Sequence, residues 1–259
     1  MNDKIIKEYI NGASINSLAK QYNSTPYIIR KILIANDIKI RTAHEQTSIS
    51  NLNRAIKIND NYFNELNFEN SYYLGFVAAD GTVRKDSNEI KITICNEDES
   101  YLLEMINRMN YQGRLHYLGK TKAVEYRFSS KQIKEDLAKY SIIPRKTYSG
   151  ITIQNIPDEY KLAFIKGYYD GDGSISINKN TKQVSVKIVS HTEGILKEFQ
   201  EVIKQKCDIY TNTRDNHILY SLEFSTLPAL DFLKELYSLN TPYLQRKYDK
   251  YLEILKIRI

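Results

Sequence analysis

The 259-residue sequence is poor in the residues that build disulfide scaffolds and transition-metal centres. It contains two cysteines, Cys95 and Cys207, and four scattered histidines. Two cysteines provide neither a disulfide framework nor a zinc-ligand pattern, so we expect both to be free thiols in a reducing compartment. With so few histidines, a histidine-based metal nuclease centre is also excluded.

Long hydrophobic runs are missing as well. No apolar segment approaches the ~20 residues that a membrane-spanning helix needs, and the N-terminus lacks the apolar core of a signal peptide. Apolar residues make up 42% of the chain and charged residues 26%, which is ordinary for a globular protein. We therefore expect a protein that is neither membrane-bound nor secreted.

The net charge of +6 is unevenly distributed along the chain. Residues 1–42 hold seven basic and three acidic side chains, so the other residues are close to neutral. A positive balance suggests a nucleic-acid partner. If the larger part of the chain binds DNA, its positive charge must be collected on one face.

Two nine-residue segments, Tyr73–Gly81 and Ile165–Gly173, share one pattern. Each is largely apolar, has small residues four positions apart and closes on Asp-Gly. If both segments are helices, the small residues share a face where two backbones can approach closely. A glycine inside a helix costs about 1 kcal/mol relative to alanine, so this use of glycine requires a packing reason. These small residues are Gly75 and Ala79 in the first segment, and Gly167 and Gly171 in the second.

The closing Asp-Gly pairs place two acids where helices disfavour them. Gly81 and Gly173 are typical of left-handed C-caps, which puts Asp80 and Asp172 at the carboxyl ends of helices. The helix dipole disfavours a carboxylate there by roughly 0.3–1 kcal/mol. Helices packed side by side would bring the two carboxylates together, where they repel each other unless a cation lies between them. The pattern therefore favours a site over two unrelated core helices.

The two segments resemble the LAGLIDADG motifs of homing endonucleases, in the single-chain form that carries two copies. The copies place their acids 92 residues apart, and each is followed by a similar order of strands and helices. The resemblance implies an α+β fold of tandem, pseudo-twofold αββαββα repeats, whose antiparallel sheets form a DNA-binding saddle. It also implies that Asp80 and Asp172 bind metal and that each serves one strand of the duplex.

The metal that suits such a site is Mg²⁺, or another hard divalent cation such as Mn²⁺, because hard cations prefer oxygen ligands. Backbone carbonyls of Ala79 and Gly171 are further candidate ligands, since helix ends leave carbonyls free. The family also places a lysine after the last helix of each repeat, which matches Lys146 and Lys247. The alternative for these lysines is an ordinary solvated surface position.

Alternating apolar and polar residues predict the repeats at 69–150 and 151–259. In each repeat the polar face of the sheet is either simply solvated, as in many half-buried antiparallel sheets, or reads DNA. The resemblance favours the second interpretation, because in the family these faces lie along the major groove. The candidate DNA contacts on these faces are Thr82, Arg84, Lys91, Arg127, Ser174, Ser176, Ser185 and Lys187.

Residues 1–42 show three short helical patterns that resemble the helix-turn-helix of resolvase and transposase DNA-binding domains. In such domains the third helix enters the major groove. The alternative is a small helical domain for protein contacts. Residues 43–68 are polar and predict a linker. The residues expected to contact phosphates are Lys20, Lys31 and Arg41, and the candidates for contact with base edges are Thr25, Tyr27 and Arg30.

Together these features predict a monomeric, metal-dependent homing endonuclease that makes a site-specific double-strand break. Its expected partner is double-stranded DNA with a long, imperfectly palindromic target, and no obligate protein partner is expected. Its expected location is a bacterial or phage-infected cytoplasm, or an organelle. A non-cleaving DNA-binding regulator and an RNA maturase that assists intron splicing are the alternatives, because one fold can serve several functions.

Overall fold

The structure is a computed structural model that describes residues 2–54, 57–119, 121–178, 180–214 and 217–258. The chain divides into two compact units, Met1–Ile56 and Lys57–Ile259. Each unit has its own hydrophobic core, and each is described separately below. No helix in the described ranges is long and apolar enough to cross a membrane.

The N-terminal unit is built from helices. Ser14 and Thr25 cap the second and third helices, because each side chain accepts a hydrogen bond from the backbone N–H three residues later. Most of the large apolar residues of these helices are buried or half-buried, but Ile10 and Ile28 are exposed. The helices are α1 (Asn2–Ile10), α2 (Ile15–Gln21), α3 (Pro26–Ala35) and α4 (Ala43–Arg54).

The second unit holds two repeats with the same order of elements. The first contains α5 (Phe68–Asp80), β1 (Gly81–Val83), β2 (Glu89–Cys95), α6 (Glu99–Arg108), β3 (His116–Leu118), β4 (Ala123–Ser129), α7 (Lys131–Lys139) and α8 (Lys146–Ser149). The second contains α9 (Asp158–Asp172), β5 (Gly173–Ile177), β6 (Val184–Ser190), α10 (Glu193–Val202), β7 (Asp208–Arg214), β8 (His217–Ser225), α11 (Thr226–Ser238) and α12 (Gln245–Arg258).

Each repeat folds around a four-stranded antiparallel sheet, in the orders β1-β2-β4-β3 and β5-β6-β8-β7. Alternate residues of β2, including Ile90 and Ile92, are buried against the helices, and Val186 and Ile188 do the same in β6. The intervening side chains lie on the opposite, polar face. The expected α+β fold with two antiparallel sheets is therefore confirmed.

Helices α5 and α9 pack against each other at the centre of the unit, and glycine makes their approach possible. A Cβ added at Gly75 would lie 2.0 Å from the carbonyl oxygen of Phe164. One added at Gly167 would lie 1.8 Å from the carbonyl oxygen of Tyr72. No side chain fits at such distances, so these glycines have the packing reason that the sequence required.

The prediction that Gly81 and Gly173 are left-handed C-caps is wrong. Both backbones are extended, with φ −76° at Gly81 and −94° at Gly173, because strands β1 and β5 begin at these residues. Glycine is needed here for space. A Cβ at Gly81 would lie 2.5 Å from the carbonyl oxygen of Val77, and one at Gly173 would lie 2.4 Å from that of Tyr169.

The stretch predicted as a linker, residues 43–68, is structured at both ends. Ala43–Arg54 is a helix of the N-terminal unit. Phe63 is buried in the core of the second unit, and Asn67 caps α5 through a capping box with Asn70. The division between the two units falls between residues 56 and 57, within the predicted linker.

Candidate functional site

The ends of α5 and α9 bring Asp80 and Asp172 together, as the motif pattern predicts. Burial raises the pKa of Asp80 to about 6, and the nearby charge of Asp172 adds to this effect. Burial likewise raises the pKa of the Asp172 carboxyl, which Lys146 partly opposes. Two partly buried carboxylates that repel each other are suited to hold a cation.

Lys146 and Lys247 are both buried, so the alternative of a solvated surface position is wrong for them. Lys146 Nζ donates to the carbonyl oxygens of Ala78, at 2.6 Å, and Ala79, at 2.8 Å. These carbonyls lie at the carboxyl end of α5, where a positive charge also suits the helix dipole. Burial lowers the pKa of Lys146, and the two aspartates oppose this effect.

Lys247 makes the equivalent contacts at the end of α9 but uses more of its donors. Its Nζ donates to the carbonyl oxygens of Tyr169 at 2.5 Å, Asp170 at 2.8 Å and Gly173 at 2.7 Å. An ammonium group has three N–H donors, so all of those of Lys247 are taken, whereas Lys146 has one left among the contacts of the described residues. Lys247 therefore acts on its surroundings through its charge and through the position of the helix end.

The two backbone carbonyl groups predicted as metal ligands, those of Ala79 and Gly171, also differ between the repeats. The Ala79 carbonyl already accepts from Lys146, which leaves one of its two lone pairs. The Gly171 carbonyl is not an acceptor of Lys247. Among the residues that the structure describes, no group of three or more His, Cys, Asp or Glu side chains is placed to hold a metal.

Asp170, two residues before Asp172 on α9, is fully buried where α9 packs against α5. Its Oδ2 accepts from Tyr72 Oη at 2.7 Å and from the backbone N–H of Leu244 at 3.0 Å, and its Oδ1 has no partner among the described groups. Burial raises the pKa of Asp170, and the positive charge of Lys247 opposes this. The first repeat has Ala78 at this position, so only one repeat carries the buried carboxylate.

Two small cavities adjoin the paired acids, and their linings differ. One of about 240 Å³ lies beside Asp80 and is lined by Arg246 and Asp98 among others. Arg246 Nε donates to both carboxylate oxygens of Asp98, at 3.0 and 3.2 Å, and so links α12 to the first repeat. The other cavity, of about 100 Å³, lies beside Asp172 and is lined by Lys146 and His191.

In the first repeat, the predicted DNA contacts occupy the polar face of the sheet. Thr82, Lys91 and Arg127 form one row across three strands, because Thr82 pairs with Lys91 and Lys91 with Arg127. Arg84 is exposed at the end of β1 and lies 3.7 Å from Glu89. Glu125, which the sequence prediction did not select, lies at the centre of this face.

The second repeat presents a similar face with different chemistry. Ser174 and Ser176 on β5 are exposed and pair with Lys187 and Ser185 of β6. Lys187 Nζ donates to Glu223 Oε1 at 2.8 Å across to β8. All of the predicted sheet contacts therefore lie on the polar faces, where the sequence alternation puts them.

The predicted contacts of the N-terminal unit are also on its surface. Thr25, Tyr27 and Arg30 are exposed, and Lys31 lies over the Tyr27 ring at 5.2 Å. The Thr25 hydroxyl oxygen accepts from the backbone N–H of Ile28, so it already has a structural role. Contact of these residues with DNA stays a prediction.

Arg41 serves the N-terminal unit itself. Its guanidinium stacks on the Tyr9 ring and donates to the carbonyl oxygens of Tyr9 and Ala13. These contacts hold the guanidinium within the unit, so Arg41 is poorly placed for the expected phosphate contact.

Sequence reasoning missed the groups that support the site from far along the chain. These are Tyr72 and Leu244 around Asp170, the Arg246–Asp98 pair, and Glu125. The only local signal was the alternation of Glu125 and Arg127 with the apolar residues of β4, which placed both on the polar face.

Comparison with known proteins agrees with this geometry. A family model described as a LAGLIDADG-like domain matches residues 159–237, which lie in the second repeat. No curated protein matches the sequence.

Several solved structures share the fold. The LAGLIDADG homing endonuclease I-LtrWI bound to target DNA is 11% identical, with a TM-score of 0.51 over 77% of this chain and 91% of that one. I-GzeII in complex with its DNA target is 15% identical, with a TM-score of 0.52 over 74% of this chain and 89% of that one. A mutant of I-SmaMI is 16% identical, with a TM-score of 0.53 over 74% of this chain and 90% of that one. The chain thus contains a LAGLIDADG-like domain and has the fold of the single-chain LAGLIDADG homing endonucleases.

Proposed function

We propose that this protein is a site-specific DNA endonuclease that cuts both strands of a duplex target. The observation that carries the proposal is the pair Asp80 and Asp172, held together by tightly packed helices and flanked by two polar sheet faces. Relatives in fold, I-LtrWI and I-GzeII, were crystallised with their DNA targets, which supports the same class of substrate here.

The donor set fits a hard divalent cation such as Mg²⁺ or Mn²⁺. Asp80 and Asp172 offer carboxylate oxygens, and the carbonyl oxygens of Ala79 and Gly171 are further donors. Burial raises the pKa values of both aspartate carboxyls, and at Asp80 the charge of Asp172 adds to this effect; a bound cation would offset both causes. When bound, the metal supplies the activation of water and the charge stabilisation that phosphodiester hydrolysis needs.

The protein's own groups have separable tasks in this proposal. The two sheet faces bind the duplex along its major groove and fix its position against the acids. Lys146 retains one free N–H for the phosphate or the attacking water, whereas Lys247 holds the end of α9 and contributes positive charge. Each acid serves one strand, so a double-strand break requires both.

The test begins with selection of a cleavable target. A randomised duplex library is incubated with the protein and Mg²⁺, and the cleaved ends are sequenced, with EDTA as the control. We expect one long, imperfectly palindromic site. Binding to a selected site without any cleavage would favour the alternative of a regulator, and preferential binding to structured RNA would favour a maturase.

With the target in hand, Asp80→Asn and Asp172→Asn are compared on duplexes labelled on either strand. Each single substitution is expected to give a nicking or inactive enzyme, and the double substitution an inactive one, while target binding survives. Full double-strand cleavage by the double variant would overturn the proposal.

The N-terminal unit is proposed to add affinity through phosphate contacts. Removing residues 1–56 should weaken duplex binding and reduce the slope of log K against log salt by about two or three. Unchanged affinity and slope would instead indicate a domain for protein contacts.

A further inference from the structure

Glu125 is a nearly buried carboxylate on the sheet face proposed to bind DNA. Only 2% of its side chain is exposed. It accepts hydrogen bonds from Lys91 Nζ at 3.1 Å, Thr93 Oγ1 at 2.9 Å and Arg127 Nη2 at 2.5 Å. One carboxylate therefore restrains two cations that remain about one-third and two-fifths exposed (34% for Lys91 and 44% for Arg127).

The second sheet holds its lysine by a different arrangement. Lys187 is the counterpart of Lys91 in the second sheet. Gly81, the last residue of the first motif, pairs with Ile92, and Gly173, the last residue of the second, pairs with Ile188. Each lysine directly precedes that isoleucine. Opposite Lys187, however, stands Glu223 in place of arginine, and the pair is charge-neutral. The first face keeps one positive charge in excess within its cluster, and the second does not.

The register also fixes the spacing of the two cations in the first face. Lys91 and Arg127 are directly opposed on neighbouring strands, so their Cβ atoms are about 4.5–5.5 Å apart. Neighbouring base pairs are separated by about 3.4 Å along a strand. Two side chains at this spacing therefore reach the edges of adjacent base pairs. In the major groove, lysine and arginine pair best with the O6 and N7 acceptors of guanine.

We propose that Glu125 is a specificity-determining residue: it positions Lys91 and Arg127 so that they read guanine at two adjacent base pairs in the half-site bound by the first repeat. The inference rests on the proposed DNA-binding function. Glu125 itself contacts the two side chains rather than the bases. Ordering flexible cations before binding reduces the entropy lost on contact and penalises bases that lack matching acceptors.

A purely electrostatic role for Glu125 is the competing explanation, and the chain offers a matched control. Glu89 is on β2 of the same sheet, on the same face, and lies 3.7 Å from Arg84. Glu125→Gln and Glu89→Gln remove the same charge from the same surface. Only the first of these changes releases Lys91 and Arg127.

The experiment repeats the target selection with the wild type, Glu125→Gln and Glu89→Gln, and measures the dissociation constants of each for the selected target and for an unrelated duplex. Wild type should select guanine at two adjacent positions of one half-site. Both variants should bind the unrelated duplex about threefold more tightly, because each gains a positive charge. Glu125→Gln alone should lose the preference for guanine, lowering the ratio of specific to non-specific affinity about tenfold or more.

A second variant covers the case in which Glu125→Gln does not fold. Arg127→Gln removes one of the two cations from a partly exposed position and keeps a polar side chain. It should exchange the guanine preference at one of the two positions for adenine, which glutamine reads, and bind the unrelated duplex about threefold more weakly. Equal selectivity of Glu125→Gln and Glu89→Gln, or an intact guanine preference at both positions in Arg127→Gln, would overturn the inference.

Failure of the inference and failure of the proposed function remain distinguishable. If the wild type neither selects nor cleaves any site, the nuclease assignment itself is wrong. If it cleaves a selected site that has no adjacent guanines in either half, the nuclease assignment stands and the role of Glu125 does not.

Discussion

The two repeats of the second unit share one backbone plan and support it with different side chains. Both pack a glycine of the central helix against the facing backbone and end that helix in an aspartate held near a buried lysine. The second repeat adds the buried Asp170, where the first has Ala78, and uses three carbonyls instead of two to hold its lysine. What is shared follows from backbone contact, and what differs lies in side-chain chemistry.

The largest effect is expected where the repeats are alike. Gly75→Ala and Gly167→Ala place a methyl group within about 2 Å of a facing carbonyl oxygen, so each should cost more than about 3 kcal/mol of unfolding free energy or prevent folding. Gly194→Ala is the control, because nothing lies within 4 Å of its added Cβ. Urea denaturation of the three variants measures the difference. Similar stability in all three would show that the helices can separate at little cost.

Replacement of the buried lysine should affect stability and cleavage differently in the two repeats. Lys247→Met removes one donor from each of three carbonyl oxygens, of which that of Tyr169 keeps the Gly173 N–H, and should cost about 3–5 kcal/mol. Lys146→Met removes one donor from each of two carbonyl oxygens and should cost about 2–3 kcal/mol. In target cleavage the order should reverse: Lys146→Met should impair cleavage more than Lys247→Met although it destabilises the protein less. The reason is that, of these two lysines, Lys146 has the N–H donor that is not used by the described carbonyl groups. Denaturation and strand-resolved cleavage at a temperature where both variants are folded test this. A larger cleavage defect in a stable Lys247→Met would contradict it.

Asp170 should matter to stability more than to binding. Asp170→Ala removes the acceptor for Tyr72 Oη and for the Leu244 N–H and should cost about 2–3 kcal/mol. Adding Tyr72→Phe should recover part of that loss, because the stranded hydroxyl is then gone. A double-mutant cycle by thermal denaturation measures the coupling. Strictly additive losses would mean that the Tyr72–Asp170 hydrogen bond contributes little.

A smaller effect of opposite sign is expected for the acids themselves. The folded pKa of Asp80, about 6, lies above the ordinary value of 3.8, so the folded protein holds this proton more tightly than the unfolded chain. Asp80 therefore does not reduce the free energy of unfolding below about pH 4. The reduction grows between about pH 4 and pH 6 and stays constant at higher pH.

Without divalent metal, Asp80→Asn should be more stable than wild type by about 2 kcal/mol at pH 7.5 and equal to it near pH 3.5. Adding Mg²⁺ should raise the melting temperature of wild type but not that of the double Asp80→Asn, Asp172→Asn variant. Asp86→Asn, at an exposed loop position, serves as the control. Equal stability at pH 7.5 would mean that the carboxylates are less desolvated than their surroundings indicate.

The periodic parts of the fold could be predicted from sequence, because local spacing determines them. The central helices, the alternating strands and the polar sheet faces lie where the residues indicate. Helix α10 ends at Val202, because Ile203 turns extended and buries its side chain, although the charged residues that follow have good helical propensity.

The supporting contacts of the site could not be predicted, because each joins positions far apart. Lys146 and Ala79 are separated by 67 residues, and Asp170 and Leu244 by 74. Pairing of such groups depends on which strands become neighbours, and the residues carry no local pattern that records it. Gly81 and Gly173 show the opposite case, since a familiar local pattern suggested a backbone conformation that the following strand overrides.

The Arg246–Asp98 pair makes one half of the centre depend on the other repeat. Asp98 belongs to the first repeat, yet the side chain that holds it comes from the last helix of the second. The cavity beside Asp80 is therefore lined by residues of both repeats. A fragment that holds the first repeat alone would contain Asp80 but would lack part of the wall around it.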